Sequence, residues 1–229
     1  MNLSNLPSVE HEETLTEKIH GILKQAIMHN KLTPGTLLKV RDISEQLNVS
    51  VTPVREALIL LDHSGWVRQS GKNKAVVYPS RRELVEYAEV RIPLELSAFR
   101  LTRDRICPEW IEEMREILRS AMEYDRQMDG VNYAIASEEF HLYLCKKAGN
   151  RFLYKTLSEI CDQMLRSNII RYREQAESRH FLNEEHQQLV NLLEEQRWED
   201  YELMLAKHIQ IWPDFAVEVD AINKQHEKK

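Results

Sequence analysis

Ile43-Ser44-Glu45-Gln46-Leu47-Asn48-Val49-Ser50-Val51-Thr52-Pro53-Val54-Arg55-Glu56-Ala57-Leu58 is the stretch whose reading decides the fold of the amino-terminal part of this chain. Ile43, Leu47 and Val49 mark a short helix and its exit. Ser50 to Pro53 opens a second helix, because hydroxyls can cap a helix start and proline is tolerated in its first turn. Ala57, Leu58, Leu60 and Leu61 give that helix a buried face, and Gly65 stops it. Working outward, Thr14-Leu15-Thr16-Glu17 is a capping-box pattern. Ile19, Ile22, Leu23, Ala26 and Ile27 follow it at helical spacing, so a helix is expected to about Asn30, with a turn at Pro34-Gly35. On the other side, Trp66–Gln69 and Ala75–Tyr78 read as two short strands around a polar, basic hairpin tip, Ser70–Lys74. Three helices and a two-stranded ribbon make a winged helix-turn-helix, expected over residues 14–79.

The remainder is different in character. Ser80-Arg81-Arg82-Glu83 is a second capping box, opening a helix to about Arg105. Breaks at Asp129-Gly130, Gly149-Asn150, near Ser178 and near Gln196-Arg197 divide the rest into about six helices with no strand signal. An antiparallel all-α bundle over residues 80–225 is the expected packing. Only 6 Gly and 7 Pro in 229 residues argue against a β-sandwich or barrel, so the whole is expected to be mainly α. No apolar run approaches the roughly 20 residues of a membrane span. Met1–Glu13 lacks the basic start and apolar core of a signal peptide. Three scattered cysteines make neither a disulfide framework nor a CxxC site, and a cytoplasmic location is expected.

The net charge of −6 conceals an asymmetry. Residues 18–79 hold nine Lys/Arg against four Asp/Glu, whereas residues 80–229 hold 22 against 29. A basic module therefore sits beside an acidic one, and the overall acidity does not exclude nucleic acid.

A helix-turn-helix places the start of its second helix in the major groove. Here that helix begins near Ser50, and Thr52 and Arg55 share the leading face of its first turn. Arg55 could grip a guanine through two hydrogen bonds, worth about 1–3 kcal/mol of discrimination. Arg41 opens the preceding helix and could reach the groove edge. Lys72 and Lys74 at the hairpin tip could follow the phosphate backbone.

Within the acidic part, His141 shares a stripe with Ala134, Ser137, Leu144 and Ala148. His186 lies with Leu182, Leu189, Val190 and Leu193. His208 lies with Tyr201, Met204, Leu205, Ile211, Trp212 and Phe215. Three helices each turning an imidazole inward favour a shared site for Zn²⁺, Ni²⁺ or a similar ion over three separate packing roles. Three histidines with open positions are also the ligand set of a catalytic zinc, so a metal-dependent enzyme is the rival reading. No HExxH or comparable motif accompanies them. Arg91 lies inward with Leu84, Ala88, Glu95 and Ala98, where it either pairs with Glu95 or forms a fork for a carboxylate.

Leu32-Thr33-Pro34-Gly35-Thr36-Leu37-Leu38, Ile43–Ser50, Thr52–Leu58 and Gly65-Trp66 resemble the DNA-binding domain of GntR-family bacterial transcription regulators. The resemblance implies base contacts at Arg55 and Arg41 and a wing glycine at Gly71. The family usually carries an arginine between the serine and threonine of its motif, and this chain has Val51. Glu139-Phe140-His141, Ala148-Gly149-Asn150, Glu185-His186 and His208 resemble, more loosely, the FCD ligand-binding domain of the FadR subfamily. That resemblance implies a divalent metal held by His141, His186 and His208, and a small carboxylate effector near Arg91. Ser137 stands where the family has a ligating aspartate. The site then keeps three histidines completed by water or effector oxygens, or recruits Glu138, or loses the metal. Together the resemblances imply a dimeric regulator, commonly a repressor, acting on a palindromic operator.

Overall fold

A computed structural model describes residues 13–174 and 176–210. It divides into two compact units between Val76 and Val77. In the first, α1 (Leu15–Met28) starts from the expected capping box. The Thr14 hydroxyl accepts from the Glu17 amide (3.2 Å), and the Glu17 carboxylate accepts from the Thr14 amide (2.7 Å). Ile19, Leu23 and Ile27 are buried. The helix ends at Met28, short of Asn30, which takes a left-handed φ of 55°. After α2 (Val40–Leu47), Asn48 adopts φ 52°, a conformation asparagine tolerates, and turns the chain toward α3 (Val51–His63). Ser50 occupies the cap position of α3, but its hydroxyl makes no capping hydrogen bond. Val54, Ala57, Leu58 and Leu61 face inward.

The wing departs from the expected ribbon. Strand β1 (Leu37–Leu38) pairs with β3 (Asn73–Val76), which also pairs with β2 (Val67–Ser70), giving an antiparallel three-stranded sheet in the order β1-β3-β2. Ser70 is opposite Asn73, so the tip is only Gly71-Lys72. Gly71 has φ 56°, and a two-residue hairpin starting on glycine needs that positive value. This tight turn moves the register. Asn73 and Lys74 become strand residues, and Val77 and Tyr78 fall outside the sheet. Leu38, Val67 and Val76 are buried at 3% exposure or less, which explains why the Leu37–Leu38 segment joins.

The second unit is built of helices, with no strand among its described residues. It comprises α4 (Arg81–Thr102), a 3₁₀ turn (Arg103–Arg105), α5 (Pro108–Arg126), α6 (Gly130–Lys147), α7 (Arg151–Glu174), α8 (Ala176–Glu194) and α9 (Trp198–Gln210). Three of these starts have a local cause. Ser80 and Glu83 cap α4 reciprocally, Asp129 accepts from the Asn132 amide at the start of α6, and the Asn150 side chain accepts from the Phe152 and Leu153 amides. Ser178, near which a break was expected, is helical, and Gln175 between α7 and α8 lies outside the described residues. Ile211, Trp212 and Phe215, assigned above to the His208 stripe, lie outside the described residues. Helix α6 packs on α4, α5 and α7, and α8 packs on α5 and α9. Most of α6 is buried, as is α7 from Gln163 to Ile169. Their polar side chains must therefore find partners inside the bundle. None of the described helices is long and apolar enough to cross a membrane.

Candidate nucleic-acid interface and metal centre

In the first unit the expected DNA contacts lie on the surface. Arg41 is exposed in the first turn of α2, Ser50 is exposed at the cap of α3, and Thr52 and Arg55 are exposed one turn apart on α3. The buried residues of α3 pin the opposite side of that helix, which is the arrangement a groove-reading helix needs. Gly71 and Lys72 are exposed at the hairpin tip. Lys74 is not at the tip. It sits on β3, and its ammonium pairs with the Asp62 carboxylate at 2.7 Å. Its charge is therefore already matched within the unit, which corrects its assignment to the wing tip.

In the second unit the three histidines converge. Nε2 of His186 lies 3.2 Å from Nε2 of His141 and 3.1 Å from Nε2 of His208, and the third side of the triangle is 3.2 Å. All three residues are buried. Burial, followed by the neighbouring positive charge of Arg91, holds His141 well below the usual imidazole range. Burial and the other two imidazoles do the same to His186. Neutral imidazoles are what a metal ligates. A tetrahedral ion with bonds of about 2.0–2.1 Å would place its nitrogens about 3.3 Å apart, close to this triangle. Three nitrogens this close, buried from solvent, need a proton or a cation among them. The residues fit a divalent metal.

Around the triangle lies a connected set of buried charges. Glu95 Oε2 is 3.0 Å from Nδ1 of His141, and Glu185 Oε2 is 2.7 Å from Nδ1 of His208. Nδ1 of His186 has no hydrogen-bond partner among the described residues. Arg91, 1% exposed, donates from Nε to Glu95 Oε1 at 2.5 Å and faces Glu138 with Nη2 3.0 Å from Oε2. Glu138 also accepts from the Asn168 amide at 2.8 Å. Burial raises the carboxyls of Glu95 and Glu138 above their ordinary range, against the pull of Arg91.

Two expectations change here. Arg91 is not a free fork, because two carboxylates occupy it. Glu138 is committed to Arg91 and Asn168 and does not join the imidazoles. Ser137 is buried on α6 one turn before His141, on the same side of that helix. Sequence spacing offered Glu95 only as a possible partner of Arg91 and left Glu185 without a role, so neither was expected behind an imidazole. Asn168 carried no signal beyond being a polar residue in a buried run.

Residues 15–77 match the bacterial regulatory proteins, gntR family, and residues 86–211, more than half of the chain, match the FCD domain. The chain belongs to the GntR family. Its relatives include the HTH-type transcriptional regulator McbR of Escherichia coli K12, 26% identical over 152 residues that cover 66% of this chain and 69% of McbR. The Nta operon transcriptional regulator of Aminobacter aminovorans is 28% identical over 187 residues, covering 81% of this chain and 87% of that protein. The solved structure of E. coli McbR/YncC has a TM-score of 0.74 at 22% identity, over 94% of this chain and 100% of that one. A putative GntR regulator from Rhodococcus sp. RHA1 also scores 0.74, at 20% identity, over 90% and 97%. This GntR-family protein is thus a transcription regulator with an FCD effector-binding domain, and not an enzyme.

Proposed function

We propose that this regulator, of the FadR subfamily, binds a palindromic operator as a homodimer in the cytoplasm. In this reading it represses transcription until a small carboxylate effector, assisted by a divalent metal, occupies the FCD domain. The observation that carries the sensing half is the buried triangle of His141, His186 and His208. Three protein ligands hold a metal and leave positions open, and when bound the ion supplies a Lewis-acidic centre for ligand oxygens. Arg91 is engaged internally, so anchoring of the effector rests on those open positions and on the Ser137 hydroxyl. For the reading half, Ser50, Thr52 and Arg55 present side chains at the start of α3, with Arg41 and the Gly71-Lys72 tip beside them in the same unit. A selection for bound DNA fragments, repeated with zinc or nickel and a panel of organic acids, tests both halves together. Arg55→Ala is expected to lose about 1–3 kcal/mol on the selected operator and to relax preference at one base position. A loss spread evenly over all sequences would contradict base reading.

A further inference from the structure

We propose that Arg91, Glu95 and Glu185 are positioning residues of the three-histidine centre, aiming Nε2 of His141 and His208 at the metal and leaving His186 unfixed. The inference rests on the metal reading above and concerns residues beyond the imidazoles.

A carboxylate only accepts hydrogen bonds, so the imidazole nitrogen facing it must carry the proton. Glu95 thereby holds His141 with its proton on Nδ1, and Glu185 does the same for His208. Each ring is left with its lone pair on Nε2, pointing into the triangle. A carboxylate behind a ligating imidazole also raises its basicity and fixes the ring plane.

The two carboxylates are held differently. Glu95 is gripped from behind by Arg91, whose Nε binds its other oxygen at 2.5 Å, while Glu138 pairs with the far side of the same guanidinium. A chain therefore runs from α4 through the interior: Arg91 sets Glu95, Glu95 sets His141, and His141 presents Nε2. A guanidinium at 1% exposure with two carboxylate partners is built into the protein, not offered to a ligand.

His186 differs from both. Its Nδ1 is buried and has no hydrogen-bond partner among the described residues, so none of them chooses its tautomer from that side. It alone can carry its proton on Nε2 without breaking a bond to a carboxylate. From there it can donate to one of the two neighbouring lone pairs, 3.1–3.2 Å away. Ligation by His186 requires that proton to leave Nε2.

Nitrogen NMR of ¹⁵N-histidine-labelled full-length protein, stripped of metal and held at neutral pH, reads the tautomers directly. The expected result is two rings fixed as Nδ1–H and a third as Nε2–H. Glu95→Ala should release the first of the fixed rings and Glu185→Ala the second, because alanine has no acceptor for the Nδ1 proton, with the thermal melt confirming that each variant is folded. Competition with a chromophoric chelator for zinc should show each variant binding roughly 10- to 100-fold more weakly. Arg91→Lys, which keeps the charge but cannot reproduce the guanidinium geometry, should also weaken zinc binding severalfold. Unchanged tautomers in the folded Ala variants would overturn the proposal. Zinc affinity within twofold of wild type in Arg91→Lys would remove Arg91 from it. Absence of zinc, nickel or manganese binding by the wild type would sink the metal reading separately, because the tautomers are read without metal.

Discussion

Arg91 shows what burial does to a single side chain. Its guanidinium meets Glu95 and Glu138 in an interior from which water is excluded, where removing one partner of an ion pair costs far more than the pair contributes. Arg91→Ala is expected to lose about 3–5 kcal/mol of unfolding free energy in urea at neutral pH. The deficit relative to wild type should shrink as pH falls. The folded carboxyls of Glu95 and Glu138 titrate above their unfolded values, so the folded state takes up protons first, and protonation removes the unpaired charge. A deficit that stays constant from pH 7 to pH 5 would contradict this account. Sequence spacing gave Arg91 and Glu95 as possible partners because they are one helical turn apart. It offered no means of finding Glu138, which belongs to another helix.

At the scale of elements, the wing is where local sequence and observed structure part. A five-residue tip was expected because Ser70–Lys74 is uniformly polar. The positive φ of Gly71 instead closes a two-residue turn, and Lys74 is carried onto the strand beside Asp62. The two lysines should therefore differ on DNA. Lys72→Ala should lower the slope of log affinity against log salt by about one, the signature of one lost phosphate contact. Lys74→Ala should lower it distinctly less, because Asp62 already neutralises the ammonium. Equal slopes for the two variants would refute the assignment. Helix boundaries were more legible: both capping boxes, at Thr14-Glu17 and Ser80-Glu83, form as read. Caps are local devices, set by residues three apart, so sequence suffices for them.

For the whole molecule, the division of charge matches the division of labour proposed for it. The basic excess lies in residues 18–79, with the helix-turn-helix, and the acidic excess in residues 80–229, with the FCD domain. If effector and operator act on one equilibrium, their coupling is reciprocal. An acid that weakens operator binding by a given factor should itself bind more weakly by that factor when saturating operator is present, as isothermal titration can measure. Metal should act as a stabilising ligand on the FCD domain, adding about 2.7 kcal/mol at a concentration 100 times its dissociation constant. Hydrogen exchange should record that gain as slower exchange in α6, α8 and α9.

Sequence by itself determined the winged order of the first unit, the helical bundle of the second, and the fact that His141, His186 and His208 each lie on an inward stripe. Those features follow from periodicity and caps, which operate within a few residues of one another. Only the tertiary structure decided that three Nε2 atoms would stand 3.1–3.2 Å apart, that Arg91 would be taken by two carboxylates, and that Glu95 and Glu185 would back two of the three imidazoles. A helical stripe specifies which face turns inward. Which of the several polar groups on that face meet depends on how neighbouring helices cross and rotate, and the packing of the whole core sets that geometry.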